Sequence, residues 1–217
     1  MIYILIAYIL RLIFGKISWL PDPAKGIRWV AARAENFLRT RFGNQKLAGA
    51  GVVVFIVGTA YAAAKFIIWD VGLLHPALIG AAETILIYLA LSMKGPKKEH
   101  LAHNSVESVA QNTVDGVLSV LFYAFIGGAA LAWVYKAVNI LYSRQGHKNV
   151  YYSEIGWFCA KLNEVFNYIP ARIALLIIPA ASYIRHSGFM PSAELSYKEG
   201  LRHEEPNSGI PPGTRAA

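Results

Sequence analysis

Glu107, Gln111 and Asp115 stand four residues apart, with Ser108 and Asn112 among them. On a helix that spacing lines them up along one face. A carboxylate pair so placed suits a magnesium ion, which takes hard oxygen ligands and keeps water and substrate phosphate in its shell. Farther on, Tyr135-Lys136-Ala-Val-Asn139 and Asn167-Tyr-Ile-Pro170-Ala-Arg172 put a lysine and an arginine beside apolar runs. Either cation suits a phosphate, Arg172 bidentately. In lipid or in a core such groups cost free energy unless they are paired or put to use, so 105–172 reads as a polar site at a membrane surface. Each motif alone also has a plainer reading. Glu107 fits a helix N-terminus capped by Asn104 or Ser105, and Lys136 fits a side chain snorkelling to headgroups. His100 and His103, three apart in a polar stretch, read as solvated loop residues rather than a metal pair.

The elements that must position these residues are apolar. The 217-residue chain is 55% hydrophobic and only 16% charged, unlike an ordinary soluble domain. It reads as an all-α, polytopic integral membrane protein with about four apolar helical segments: 2–14, 47–69, 73–93 and 117–141. The last three are long enough to cross about 30 Å of hydrocarbon. The first has Arg11 after its apolar run and no small-residue cleavage site behind it, so it reads as a retained anchor, not a signal peptide. In 15–46, Ile27, Val30, Ala34, Phe37 and Leu38 recur at helical spacing with Arg28, Arg33, Glu35, Arg39 and Arg41 between them. That is an amphipathic helix on the headgroups. Its cations, and Lys94, Lys97 and Lys98, assign both segments to the cytoplasmic side, with 47–69 leading outward, a turn around Asp70, and 73–93 returning. The net charge of +8 is accounted for by this orientation and by attraction to anionic lipid, not by nucleic acid.

Gly127-Gly128 interrupts 117–141, because glycine is a poor residue in a helix interior. A single kinked span and a re-entrant pair of half-helices, 117–126 and 130–141, both fit. The re-entrant form is preferred, since it brings the Glu107 and Lys136 clusters to one side. The stretch 173–184, with Pro179, is too short to span and reads as a packed or interfacial helix. One helical membrane domain covers 1–184, and the Pro-, Gly-, Glu- and Ser-rich 185–217 forms a weakly ordered polar tail. Glu83, midway along an apolar segment, would cost about 2.5–3.5 kcal/mol if charged and unpaired. It is therefore expected protonated or paired with a polar group of a neighbouring helix. The lone Cys159 excludes an internal disulfide and a cysteine-based metal site, and reads as a packed small hydrophobe. Neither a GxxxxGK[ST] nor a GxGxxG loop is present.

The polar segment resembles the membrane-bound adenosylcobinamide-phosphate synthase family of cobalamin biosynthesis, marked by ESxAENxxDG, YKAxNTLDSxxG and GWxxARxDDxxNyxPAR stretches. Glu107, Asp115, Lys136, Asn139, Asn149, Glu164, Asn167 and Arg172 match these marks. Weaker likeness runs over 15–27 (GDPxxLPHPVxxIG) and 206–209 (SPNxG). The resemblance implies a ligase of the cell inner membrane, multi-pass, with its polar site facing the cytoplasm. The implied reaction is ATP-dependent joining of the carboxylate of adenosylcobyric acid to an amino-alcohol or its phosphate, giving adenosylcobinamide or its phosphate. It implies Mg²⁺ and ATP, with the corrinoid as substrate. Glu107, Asp115, Lys136 and Glu164 are the implied catalytic residues, with Glu107 and Asp115 on the metal. Ser108, Asn112, Tyr135, Asn139, Asn149, Asn167 and Arg172 are the implied substrate contacts. Expected partners are membrane lipids, the corrinoid, the amino-alcohol phosphate, and either a second copy or other membrane proteins of the pathway. Against the family pattern, Lys16 and Asp22 replace an aspartate and a histidine, and Gln111, Tyr142 and Asn163 replace three acidic residues. A segment is also missing between Met93 and Asn104, and the family continues past SPNxG. The alternatives are a non-catalytic or regulatory membrane relative keeping the scaffold alone, and a small-solute transporter, for which Glu83 is the one buried polar candidate upstream.

Overall fold

A computed structural model describes residues 2–15, 23–41, 43–92, 112–145 and 154–184. Every regular element among them is helical: α1 (Ile2–Phe14), α2 (Pro23–Arg41), α3 (Gln45–Leu74), α4 (Leu78–Ala90), a π-helical turn (Val114–Leu118), α5 (Ser119–Gln145) and α6 (Trp157–Ile184). The chain forms two compact units, one of Met1–Leu91 with Val120–Asn163, the other of Ser92–Ser119 with Glu164–Ala217. The tail 185–217 lies outside the described residues.

In the first unit α3 is the long element, with 30 residues, or about 45 Å at 1.5 Å per residue. It is long and apolar enough to cross a membrane, as by length and composition is 114–144. Asn44 starts it, its side chain accepting the Lys46 N–H at 3.0 Å. The expected turn around Asp70 falls later, since Asp70 lies within α3 and the helix ends at His75, whose backbone is extended (φ −163, ψ 129). Pro76 is the cause, because the residue before a proline is driven out of the helical region. The expected span 73–93 is accordingly shortened to α4, 13 residues, about 20 Å and too short to cross alone.

α1 packs on α4, and α2 on α3. On α1, Arg11 is buried with its guanidinium 5.2 Å from the centre of the Tyr88 ring, and Tyr88 donates its hydroxyl to the Gly15 carbonyl at 2.8 Å. The expected helix forms as α2, with Phe37 of its apolar set exposed and with one addition. Glu35 on it is 3% exposed and accepts Arg39 at 2.9 Å and Arg144 at 3.2 Å. Arg144 also donates to the Arg28 carbonyl at 2.8 Å, which ties α2 to the end of α5. Ala31, Val52, Val53, Ile56, Ala137, Leu141 and Cys159 form one apolar core cluster of this unit.

α5 is broken where the glycines predict. Gly127 (φ −147, ψ 29) and Gly128 (φ 65, ψ −161) leave the helical region, and only glycine takes the second conformation without strain. Tyr123 and Tyr135 stack across the break with centroids 5.3 Å apart and planes 15° apart. A straight helix would separate residues twelve apart by about 18 Å along its axis, so the chain folds back on itself at the glycines. Glu83 of α4 occupies the bend and its Oε2 accepts the Ala129 N–H at 2.8 Å. The carboxylate thus sits at the N-terminus of the second arm, where free amide protons and the helix dipole favour a negative charge. Trp133 on that arm donates its indole N–H to the Leu86 carbonyl at 3.0 Å.

α6 runs unbroken from Trp157 to Ile184, so 173–184 is not the separate short helix expected. Pro170 and Pro179 are carried inside it, as apolar helices allow when neighbours satisfy the freed carbonyls.

Candidate functional site

The second unit holds a buried polar chain that includes a matched carboxylate. Its base is the π-helical turn Val114–Leu118, in which one extra residue per turn redirects the side chains, a device frequent at functional sites. Ser92 donates its backbone N–H to the Gly116 carbonyl at 3.0 Å. A Cβ on Gly116 would collide with the Ser92 carbonyl oxygen, so glycine permits this close approach beside Asp115. From the turn, Asp115 Oδ1 accepts Asn167 Nδ2 at 3.1 Å, and Asn167 Oδ1 in turn accepts the Ser119 hydroxyl at 3.0 Å. Ser119 is fully buried and Asn167 is 7% exposed. The hydroxyl, a donor to Oδ1, fixes which way the Asn167 amide faces and so aims its N–H at the carboxylate.

Of the other residues singled out, Asn112, Glu164 and Arg172 belong to the same unit. Asn112 and Glu164 are half-buried. Arg172 is exposed, its guanidinium carbon 3.4 Å from the centre of the Tyr168 ring, and its Nη1 donates to the Tyr168 carbonyl at 2.9 Å. Tyr135, Lys136 and Asn139 lie in the first unit. Lys136 is 6% exposed, which rules out a lysine reaching for headgroups, and Tyr135 is fully buried against Tyr123. Asn139 is partly buried, with its carbonyl accepting the Ser143 hydroxyl at 2.8 Å. Glu107, Ser108, Gln111 and Asn149 lie outside the described residues. Among the described residues no three His, Cys, Asp or Glu side chains gather as a metal site, and Asp115 is a matched carboxylate bonded into the Asn167–Ser119 chain.

Asn163, which stands where the family pattern has an acid, is buried with Oδ1 lacking a hydrogen-bond partner. Cys159 is buried, its thiol 3.7 Å from the Val138 carbonyl it faces, and burial pushes that thiol up to about 12. That is the environment of an inert packing residue. Sequence reading missed Ser119. The available signal was a small hydroxyl one helical turn beyond Asp115 inside an apolar run.

The sequence profile of the family described as CobD/Cbib protein matches residues 94–217. A cobalamin biosynthesis protein CobD of Clostridium perfringens is 33% identical over 246 residues, covering 97% of this chain and 78% of the relative. The protein of that name from Geobacter metallireducens is 30% identical over 247 residues, covering 98% and 78%. One from Listeria monocytogenes is 42% identical over 118 residues, 54% of this chain and 38% of the relative. The first two alignments are longer than this chain, so those relatives carry residues with no counterpart here, in keeping with the missing segment. No solved structure matches. With its profile matching over half the chain, and a relative one third identical across nearly all of it, the chain belongs to the CobD/Cbib family of cobalamin biosynthesis proteins.

Proposed function

We propose that this protein is the membrane ligase of the family's pathway, joining the carboxylate of adenosylcobyric acid to the amine of an amino-alcohol phosphate at the expense of ATP. The observation that carries the reading is the Ser119–Asn167–Asp115 chain, in which a buried hydroxyl and amide orient a carboxylate inside the segment that matches the family profile. Amide formation from a carboxylate needs an activated acyl group and neutralised phosphate charge, with the amine unprotonated when it attacks. Asp115 with Glu107 has the donor type for Mg²⁺, which prefers one or two carboxylates plus substrate phosphate. When bound, the metal would supply charge neutralisation at the phosphates. Lys136 and Arg172 would bind phosphate oxygens, Arg172 after leaving the Tyr168 ring. Glu164 would take the proton from the amine, and Ser108, Asn112, Tyr135, Asn139, Asn149 and Asn167 would hold the substrates.

In this reading the protein is multi-pass. α3 crosses the bilayer, and the two arms of α5 form a re-entrant hairpin whose open ends, with the polar site, face the cytoplasm. The turn at Gly127-Gly128, capped by Glu83, supports it, since broken helix at membrane depth needs its backbone groups satisfied by protein. A non-catalytic relative is the second reading, favoured by Asn163, a buried amide where a carboxylate belongs. Complementation of a bacterial strain lacking the synthase tests the two. Growth dependent on the wild-type gene, and lost with Asp115→Asn, supports the ligase. Equal failure of both forms, each present in the membrane, supports the non-catalytic reading.

A further inference from the structure

α2 and α4 pack on α3 and leave one side of it uncovered. Along that side Phe55, Thr59, Ala62, Phe66, Trp69 and Leu73 follow one another at alternating steps of four and three residues, and all six are exposed. Such steps average about 3.5 residues, so the row keeps its line along the helix and forms the seam through which two helices mesh side by side. Gly58 and Ala62, one turn apart, add no bulk near its middle, and the space around Gly58 is open, so a second backbone can come close.

This part of α3 lies at hydrocarbon depth. α4 packs on it and α1 on α4, with Ile79 against Gly72 and Tyr3 against Gly80. Ile2, Leu5, Ile9, Leu12, Ile13 and Phe14 of α1 are each more than half exposed, and an apolar surface of that extent belongs in lipid. Yet two charged side chains stand exposed beside the seam at the same depth, Lys65 on one flank and Asp70 on the other. The Lys65 ammonium is 6.0 Å from the centre of the Tyr61 ring, and neither residue is ion-paired among the described residues. Ionisable groups within a membrane segment normally pair with one another or face protein.

Their spacing selects the partner. Between two parallel helices joined along such a seam, a residue on one flank faces the partner's residue five positions later on the other flank. Lys65 and Asp70 are five apart, so a second copy sets an aspartate against each lysine, and two-fold symmetry makes the pairing twice. Copies in opposite orientation would set lysine against lysine and aspartate against aspartate. We infer that this face of α3 docks a second copy of the chain, giving a parallel homodimer in the membrane joined by two Lys65–Asp70 pairs. The dimer requires α3 to cross the bilayer, as proposed above, and is independent of the ligase reading.

Cysteine cross-linking of the full-length protein tests this, in a Cys159→Ser background and with the protein dilute in phosphatidylcholine vesicles. Ala62→Cys, on the seam, should form a disulfide-linked dimer on oxidation with copper phenanthroline, and Ile85→Cys, exposed on α4, should not. Lys65→Asp or Asp70→Lys, each setting like charges across the seam, should lower dimerisation by about tenfold or more. The two together re-form the pairs in the reversed sense and should restore the dimer, which separates a lost contact from a misfolded helix. No dimer from Ala62→Cys, or as much from Ile85→Cys, would overturn the interface. Cross-linking that survives both single reversals would overturn the charge pairing. A water-soluble maleimide should leave Ala62→Cys unmodified in the Lys65→Asp form. Modification there would place this face in water and overturn the depth on which the dimer depends, leaving the ligase reading untouched, since no arm of the test measures activity.

Discussion

Asp115 acquires its orientation from two neighbours that are far away in sequence or chemically plain. Asn167 donates to it, and Ser119 prevents the Asn167 amide from turning round. Ser119→Ala should therefore leave a buried amide oxygen without its donor, destabilising the fold by about 1–3 kcal/mol, measurable as a lower midpoint in thermal unfolding. Ser119→Thr, which keeps the hydroxyl, should recover part of the loss. Cys159 behaves in the opposite way, as a polarizable atom enclosed by the core. Its thiol is raised from 9.0 to about 12 by burial, so the unreactive protonated form dominates the folded state at pH 8. Iodoacetamide should leave it unmodified there and alkylate it after denaturation. Because the folded thiol holds its proton more tightly than the unfolded one, the unfolded state binds fewer protons above pH 9. Stability should therefore fall as pH rises from about 9 toward 12 and be unaffected by this group at lower pH. The carboxylate, amide and cation at 115, 167 and 136 were legible in the sequence because polar residues in an apolar chain are conspicuous. The contact between residues 115 and 167 was not, since nothing in one sequence pairs positions 52 apart.

Among the elements, the break in α5 was legible and the turn after α3 was misplaced, for related reasons. Two adjacent glycines weaken a helix where they stand, whereas Asp70 looked like a turn residue and Pro76, six residues on, was the one that acts. Pro170 and Pro179 suggested helix ends that α6 does not have, because carbonyls freed by a proline in an apolar bundle can be satisfied from neighbouring elements. What composition could not supply was the partner of Glu83. It caps the second arm of α5 at Ala129, with both carboxylate oxygens about where a Cβ on Gly128 would press, at 2.9 and 3.0 Å. Gly128→Ala should thus cost about 1–3 kcal/mol through its backbone conformation alone. Gly127, at negative φ, meets the Leu131 side chain first, and Gly127→Ala should cost less. Paired denaturation curves in detergent test the difference, and equal losses would contradict the assignment of strain to Gly128.

For the whole molecule, the proposed topology places both ends of the α5 hairpin on one side and the far end of α3 on the other. In a Cys159→Ser background, exposed positions converted as Asn44→Cys and Ser143→Cys should label from the cytoplasmic face, and His75→Cys from the opposite face. Labelling at 143 together with 75 would mean that 117–141 crosses the bilayer after all. In this reading the protein catalyses the ligation, using Asp115 as Asn167 and Ser119 orient it. The direct measurement is formation of adenosylcobinamide phosphate by the purified protein from adenosylcobyric acid, aminopropanol phosphate and ATP, across a magnesium titration. Wild type should form product, Asp115→Asn should form almost none, and Asn167→Ala should need about 10–100 times more magnesium, as when the partner that orients a metal ligand is lost. Product formed equally well by wild type and Asp115→Asn, or by none of the folded forms at any magnesium concentration, would contradict it.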